Sequence, residues 1–375
     1  MFFGPGPAEW VAVAETFRMQ PFEPTAGFAR GMGFRQLKRT LGVPVSQGID
    51  FKHWLYGAYA GAEAAILTFE EGSGSSAVSY TGAVVRVDPP LFLGLQVGRH
   101  GWIRIFEEPD IELGSPRIDG ALRVTGANAA QVRALFDLHD ARVQPLLDGL
   151  MRLEGLPEFW VTDSTVGVAA PGNRVERLTL VSWLDRAVEV AEALARRGRE
   201  LPRTPEELAQ QAEWQRFADA AGFDFDAKRM KLTGKQRPLE IALEHDGAQL
   251  KTAVTLAFPR AIDVGFAVRR TATLSFLQGL FSQDIHVGNP AFDDHYVVTG
   301  FPEPRIRELL RRPKVMATLT YLAGRTMEVQ MNHAHLFFRL AGASPTASHL
   351  AQLTELATSV TADLFGEVAA PHPFR

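Results

Sequence analysis

The chain has 375 residues, which at about 100–200 residues per domain suggests two domains. Apolar side chains make up 46% and charged ones 22%, and the formal net charge of −4 sets 39 basic against 43 acidic residues. That balance argues against nucleic acid as a partner and against an acidic tail, and the lack of any cysteine excludes disulfides, thiolate catalysis and cysteine-based metal centres.

Taken in chain order, residues 1–33 read as an N-terminal extension, with no basic stretch followed by an apolar run and hence no expected signal peptide. "FRQLKRTLG" (34–42) predicts a short helix that opens a first folded unit. "HWLYGAYAGAEAAILTF" (His53–Phe69) is the most apolar long stretch, but Gly57, Gly61 and Glu63 interrupt it. A membrane span needs about 20 clean apolar residues, so buried strands are expected instead. "EEGSGSS" (70–76) has turn chemistry and "SAVSYTGAVVRVD" after it reads as a strand. The segment from Asp110 reads as a strand end, a Gly-x-Pro turn, a strand and a helix capped by Asn128. "FWVTDSTVGVAA" then predicts two strands, and "SWLDRAVEVAEALARR" a long amphipathic helix. Glu158 and Asp163 in that strand pair read as strand-end charges. "RRGRELPRTP" (196–205) is the expected junction. Beyond it, Thr204, Pro205 and Glu207 have the spacing of a capping box, and the strand and helix patterns begin again.

The second half follows the first. "DIELGSPRIDGALRVTGANAAQVRALF" (Asp110–Phe136) aligns without gaps to "DIHVGNPAFDDHYVVTGFPEPRIRELL" (Asp284–Leu310), with ten of the 27 positions identical; ordinary residue frequencies would give roughly two. "GLQVGR" at Gly94 matches "GFAVRR" at Gly265, and the closing helices match at Ser182/Ser348 and Leu184/Leu350. The expectation is an α+β protein of two tandem copies of one mainly antiparallel sheet unit, residues 34–200 and 201–368, with helices on one face of each sheet, a pseudo-two-fold arrangement and a tail at 369–375.

Residues kept by both copies are expected to serve the fold. Gly114 and Gly288 supply a backbone position that other residues adopt poorly, and Pro116 and Pro290 stiffen the turn. Asp119 and Asp293 suit an Asx-type turn or a bond to free backbone amides. Arg133 and Arg307, on the following helix, are expected to pair each with the aspartate of its own copy. Residues peculiar to the second copy are where special chemistry would sit: His286, Asp294 and His295 in the motif, and His333 and His335 in "MNHAHLFFRL". A His-x-His pair read as strand directs both rings to one face, and with Asp294 or His295 it would suit a metal such as zinc. The competing reading puts His333, His335 and Arg339 on a solvent face opposite Leu336, Phe338 and Leu340, with Ser164 and Val166 as the first-copy counterparts of the histidines. "GSGSS" lacks the Gly-Lys-Ser/Thr ending of a phosphate loop, and neither a Gly-x-Ser-x-Gly elbow nor a His-Glu-x-x-His helix occurs.

Gly288, Asn289, Pro290, Phe292, Asp293, Gly300, Arg307, Leu309 and Leu310 form a pattern that resembles one found in uncharacterised bacterial α+β proteins. The resemblance implies a fold and a bacterial origin and no activity. Asn289 departs from the acid usual at its place, and the first copy has Ile118 where the second has Phe292. The functional expectation is a non-enzymatic binding or scaffold protein in the cytoplasm, without a cofactor, acting through a protein partner or self-association. The alternatives are a small-ligand or lipid binder using a groove between the units, and a metal-assisted hydrolase.

Overall fold

The computed structural model describes residues 7–21, 49–71, 78–99, 109–154, 158–172, 176–235, 238–246, 249–262, 264–270, 285–323, 325–340 and 346–366. The helix expected at 34–42 lies outside them. The chain divides into two compact units, Met1–Pro202 with His245–Gln249, and Arg203–Glu244 with Leu250–Arg375.

In the first unit, α1 (Pro7–Phe17) and β1 (Gln20–Pro21) precede three long strands, β2 (Ile49–Tyr59), β3 (Ala62–Glu71) and β4 (Val78–Arg86). There follow β5 (Gln96–Arg99), α2 (Pro116–Ala121), β6 (Leu122–Thr125), α3 (Ala129–Leu135), α4 (Gln144–Glu154), β7 (Glu158–Thr162), β8 (Thr165–Pro171) and the closing α5 (Arg177–Glu200). The strands form an eight-stranded sheet in the order β1-β2-β3-β4-β8-β7-β5-β6. Every pairing in it is antiparallel.

The second unit runs α6 (Pro205–Ala221), β9 (Phe223–Asp226), β10 (Lys231–Gly234), β11 (Leu239–Asp246), β12 (Gln249–Ala257) and β13 (Gly265–Arg270). It continues with α7 (Pro290–Asp293), β14 (Tyr296–Phe301), α8 (Glu303–Leu310), α9 (Pro313–Ala323), β15 (Thr326–Asn332), β16 (His335–Leu340) and α10 (Ala347–Phe365). Its sheet also has eight strands, ordered β9-β10-β11-β12-β16-β15-β13-β14. This is the strand order of the first sheet, element for element.

The correspondence reaches single residues. Val97 pairs with Val124, and Val268 with Val298. The amides of Val87 and Phe258 each donate at 2.8 Å to the turn between the paired strands, at the carbonyls of Ser164 and Ala334. Two turns of sequence also match that the linear alignment missed. Ala8-Glu9-Trp10 in α1 stands where Ala212-Glu213-Trp214 stands in α6, and both tryptophans are buried. Each helix ends on a left-handed residue, Arg18 (φ 52) and Gly222 (φ 72), that turns the chain into β1 or β9. Trp10, Val13, Ala14 and Phe17 belong to the core of the first unit, so residues 7–21 of the segment assigned to an extension are part of that unit.

Alternation explains which residues fill that core. Ala64 and Ile66 on β3, Ala83 and Val85 on β4, Val166 and Val168 on β8 and Phe159 and Val161 on β7 share one cluster with Leu180, Leu184, Ala187 and Ala191 of α5. The Leu184, Ala187 and Ala191 stripe follows helical spacing, as the pattern predicted. The opposite face of these strands is buried too, with Ala65, Leu67 and Val84 wholly inaccessible. There Trp160 lies over Gly167, its cross-strand partner. A Cβ on Gly167 would sit 2.1 Å from the indole ring. In the second unit the same ladder position pairs Gln330 with Phe337, so the bulky ring sits on the other strand of the pair.

Candidate functional site

The shared motif is a corner in which a chain reversal is held by one carboxylate. Gly114 (φ +86) and Gly288 (φ +87) adopt the same left-handed conformation, which glycine enters without the steric cost a side chain brings. Ser115 and Asn289 then cap short helices whose first residues are Pro116 and Pro290. Proline fits that place because its missing N–H is not needed there and its φ is preset. The residue pattern predicts a turn alone here; six and four residues are too few for helical periodicity to show.

Asp119, three residues past Pro116, points back and accepts hydrogen bonds from the amides of Leu113 (2.8 Å) and Gly114 (3.0 Å). Asp293 does the same in the second unit, with the amides of Val287 (2.9 Å), Gly288 (2.9 Å) and Asn289 (3.1 Å). Beside each corner the incoming chain covers the last strand of the sheet: Ile111 N–H donates to Val124 O and Ile285 N–H to Val298 O. Asp110 adds its carboxylate to the amide of Val124 at 2.8 Å. These bonds occupy strand-edge groups that would otherwise be open to another chain. Its counterpart Asp284 lies outside the described residues.

The arginines do not take the expected partners. Arg133 donates through Nε to the carbonyl oxygen of Glu112 at 3.1 Å, and Arg307 pairs with Glu303 one helical turn before it, at 2.6 Å. In the second unit a different arginine, Arg311, reaches the carbonyl of Val287 at 2.7 Å. The reason is geometric: each aspartate is already turned toward the amides behind it, so the helix arginines find carbonyls or helix neighbours instead.

The histidines also fall elsewhere than predicted. β15 ends at Asn332 and β16 begins at His335, so His333 and Ala334 form the connecting turn. Asn332 Oδ1 accepts from the amides of Ala334 and His335, both at 2.7 Å, and this Asx turn interrupts the alternation that the sequence reading carried through. His333 is exposed and His335 half-buried, while Asp294, His295 and His286 are exposed around α7. No group of three or more metal-ligating side chains forms among the described residues.

The first-unit counterparts of His333 and His335 are Asp163 and Thr165, not Ser164 and Val166. The amides of Leu91 and Ile262 donate to the carbonyls of Asp163 and His333, at 3.0 and 2.7 Å, which fixes the equivalence. Asp163 is 7% exposed, and its carboxylate accepts from three successive amides, Leu93 (3.0 Å), Gly94 (2.8 Å) and Leu95 (3.0 Å). Such a run of converging amides is an anion cradle, here filled by the protein's own side chain. Sequence reasoning missed it. The available signal was a lone charge in an otherwise uncharged hairpin, Phe159 to Ala170.

No family model and no curated protein matches this chain. Among solved structures it is similar to the crystal structure of the mycobacterial trehalose monomycolate transport factor A, TtfA, at 9% identity and a TM-score of 0.28, over 44% of this chain and 99% of that one. No described helix is long and apolar enough to cross a membrane.

Proposed function

We propose that the protein is a non-enzymatic binding or scaffold protein, built by internal duplication and working in the cytoplasm through a protein partner or self-association. The observation that carries this reading is the use made of the paired residues. Asp119 and Asp293, a pair of acids common to both halves, are turned onto backbone amides that their own corners present. A carboxylate held this way builds a loop and is not poised for proton transfer. The shared strand order and the matched ladder pairs support duplication, since independent origins would not place Val97/Val124 and Val268/Val298 in the same register. The lack of cysteine is in keeping with a reducing compartment.

Native mass spectrometry of the protein purified from its own host tests the reading. A partner or further copies at fixed stoichiometry is the expected result. Turnover of any substrate class by the purified chain would overturn it.

A further inference from the structure

The helix after the second corner differs in charge from its counterpart. Residues 303–314 carry four arginines and a lysine against two glutamates, whereas the matching residues 129–140 hold one arginine, one histidine and two aspartates. An open groove of about 540 Å³ runs along α8, lined by Glu303, Pro304, Arg307, Glu308, Arg311 and Arg312. Two of its arginines are tethered by neutral groups. Arg311 Nε holds Val287 O at 2.7 Å, and Arg312 Nη1 holds the carbonyls of Asp363 (2.7 Å) and Leu364 (2.8 Å) at the end of α10. Carbonyl oxygens fix a guanidinium in place without neutralising it, and neither arginine has a carboxylate partner among the described residues. Arg307 is neutralised by Glu303, yet its Nε–H is buried without an acceptor in the protein. Glu308 also lines the groove, so its side chains carry one net positive charge, on guanidinium donors held in place.

We propose that this groove binds a phosphate group, either inorganic phosphate or the phosphate headgroup of a membrane lipid. A phosphate is drawn by the net positive charge, and its three oxygens suit planar N–H forks held at fixed angles. A carboxylate, with two oxygens, engages fewer of these donors. The site stands independently of the reading above, because a phosphate anchor serves a scaffold and an enzyme alike.

The test uses the full-length chain. Inorganic phosphate is titrated calorimetrically at constant ionic strength, and flotation is measured with phosphatidylcholine vesicles with and without phosphatidic acid. The expected result is saturable binding to one of these probes, weakened about tenfold or more by Arg307→Gln, which removes charged donors from the groove. Arg305→Gln, on the exposed side of α8 outside the groove, leaves binding unchanged. Saturation with free phosphate identifies a soluble ligand; flotation without it identifies a headgroup. If Arg307→Gln lowers the unfolding midpoint, Arg307→Lys replaces it, keeping charge while removing the fork. Absence of binding to both probes, or full binding by the Arg307 variants, overturns the proposal.

Discussion

Two hairpin turns at the same place in two like sheets are held by different means. In the first unit Thr162 Oγ1 accepts from the amides of Ser164 and Thr165, and in the second Asn332 Oδ1 accepts from Ala334 and His335. The next residue is where they part. Asp163 binds the loop before β5 with three hydrogen bonds, and His333 is exposed. The first loop includes Phe92 (φ 59) and Gly94 (φ 64), and a non-glycine residue in the left-handed region carries a cost of about 1–3 kcal/mol. The carboxylate offsets that cost. The comparison teaches that the backbone pattern defines the architecture and that each unit finds its own side chains to hold it.

The largest expected effect separates these two residues. Asp163→Ala leaves three buried amides without acceptors, at about 1–3 kcal/mol each, so a loss of at least about 3 kcal/mol is expected. His333→Ala is expected to stay within about 0.5 kcal/mol, as for most surface substitutions. Urea unfolding followed by tryptophan fluorescence measures both. Similar losses at the two positions would break the comparison.

The exchange of ring and small residue across the two sheets gives a second test. Gly167→Phe alone would drive a ring into Trp160, whose indole already occupies the space of a Cβ, and a loss of at least about 3 kcal/mol is expected. Adding Trp160→Gln recreates the Gln330/Phe337 pair of the second sheet and should recover at least about 1 kcal/mol, a coupling that a double-mutant cycle reads directly. Strict additivity would show that the two sheets do not pack this position alike.

The paired corners sharpen the comparison further. Asp293 accepts three amide bonds and Asp119 is seen to accept from two at its own corner. Asp293→Asn is expected to cost roughly 1–2 kcal/mol and Asp119→Asn about 1 kcal/mol, because the amide keeps one acceptor and loses the charge. The reverse order of these losses, read from denaturation midpoints, would mean that counting acceptor bonds does not rank the corners.

Much of this was legible because the corner has strong local chemistry. Glycine, a capping side chain, proline and aspartate at fixed spacing leave few conformations, and the aligned valines fell into the same ladder positions. The capping box of Thr204 and Glu207 formed as its spacing predicts. The first helix was missed for a reason of chain length. Residues 22–48 separate β1 from β2, where the second unit has only Ala227–Met230, and a gapless alignment cannot cross that difference. Asp163 and His333 were misplaced because alternation carried through "VTDST" and "MNHAH" is blind to one side chain closing an Asx-type bond. The arginine partners were illegible for another reason: a long side chain chooses between a carboxylate and a carbonyl by distances that spacing does not encode.

The smallest effects are pH dependences, and they lie at opposite ends of the scale. Hydrogen bonds from the Arg142 side chain and amide, with the charges of Arg142 and Arg197, hold Asp140 down at about 2. Its folded value is below the unfolded one, so its contribution is present above pH 4 and is lost as pH falls from about 4 to 2. In the second unit, Asp363 instead caps α9 at the amides of Lys314 and Val315, and Arg312 binds the end of α10. At the alkaline end, burial pushes the Tyr59 phenol up to about 12, helped by its hydrogen bond to Asp185 at 2.7 Å and by that residue's charge. Here the folded value is above the unfolded one, near 10, so the bond stabilises below pH 10 and fails as pH rises toward 12. Burial and Glu63 push the Tyr56 phenol up as well, so in a spectrophotometric titration at 295 nm Tyr59→Phe should shrink the late tyrosine step by one phenol and flatten the alkaline loss of stability. If Tyr59→Phe leaves the amplitude of the late step unchanged, the tie between β2 and α5 is not what resists alkali.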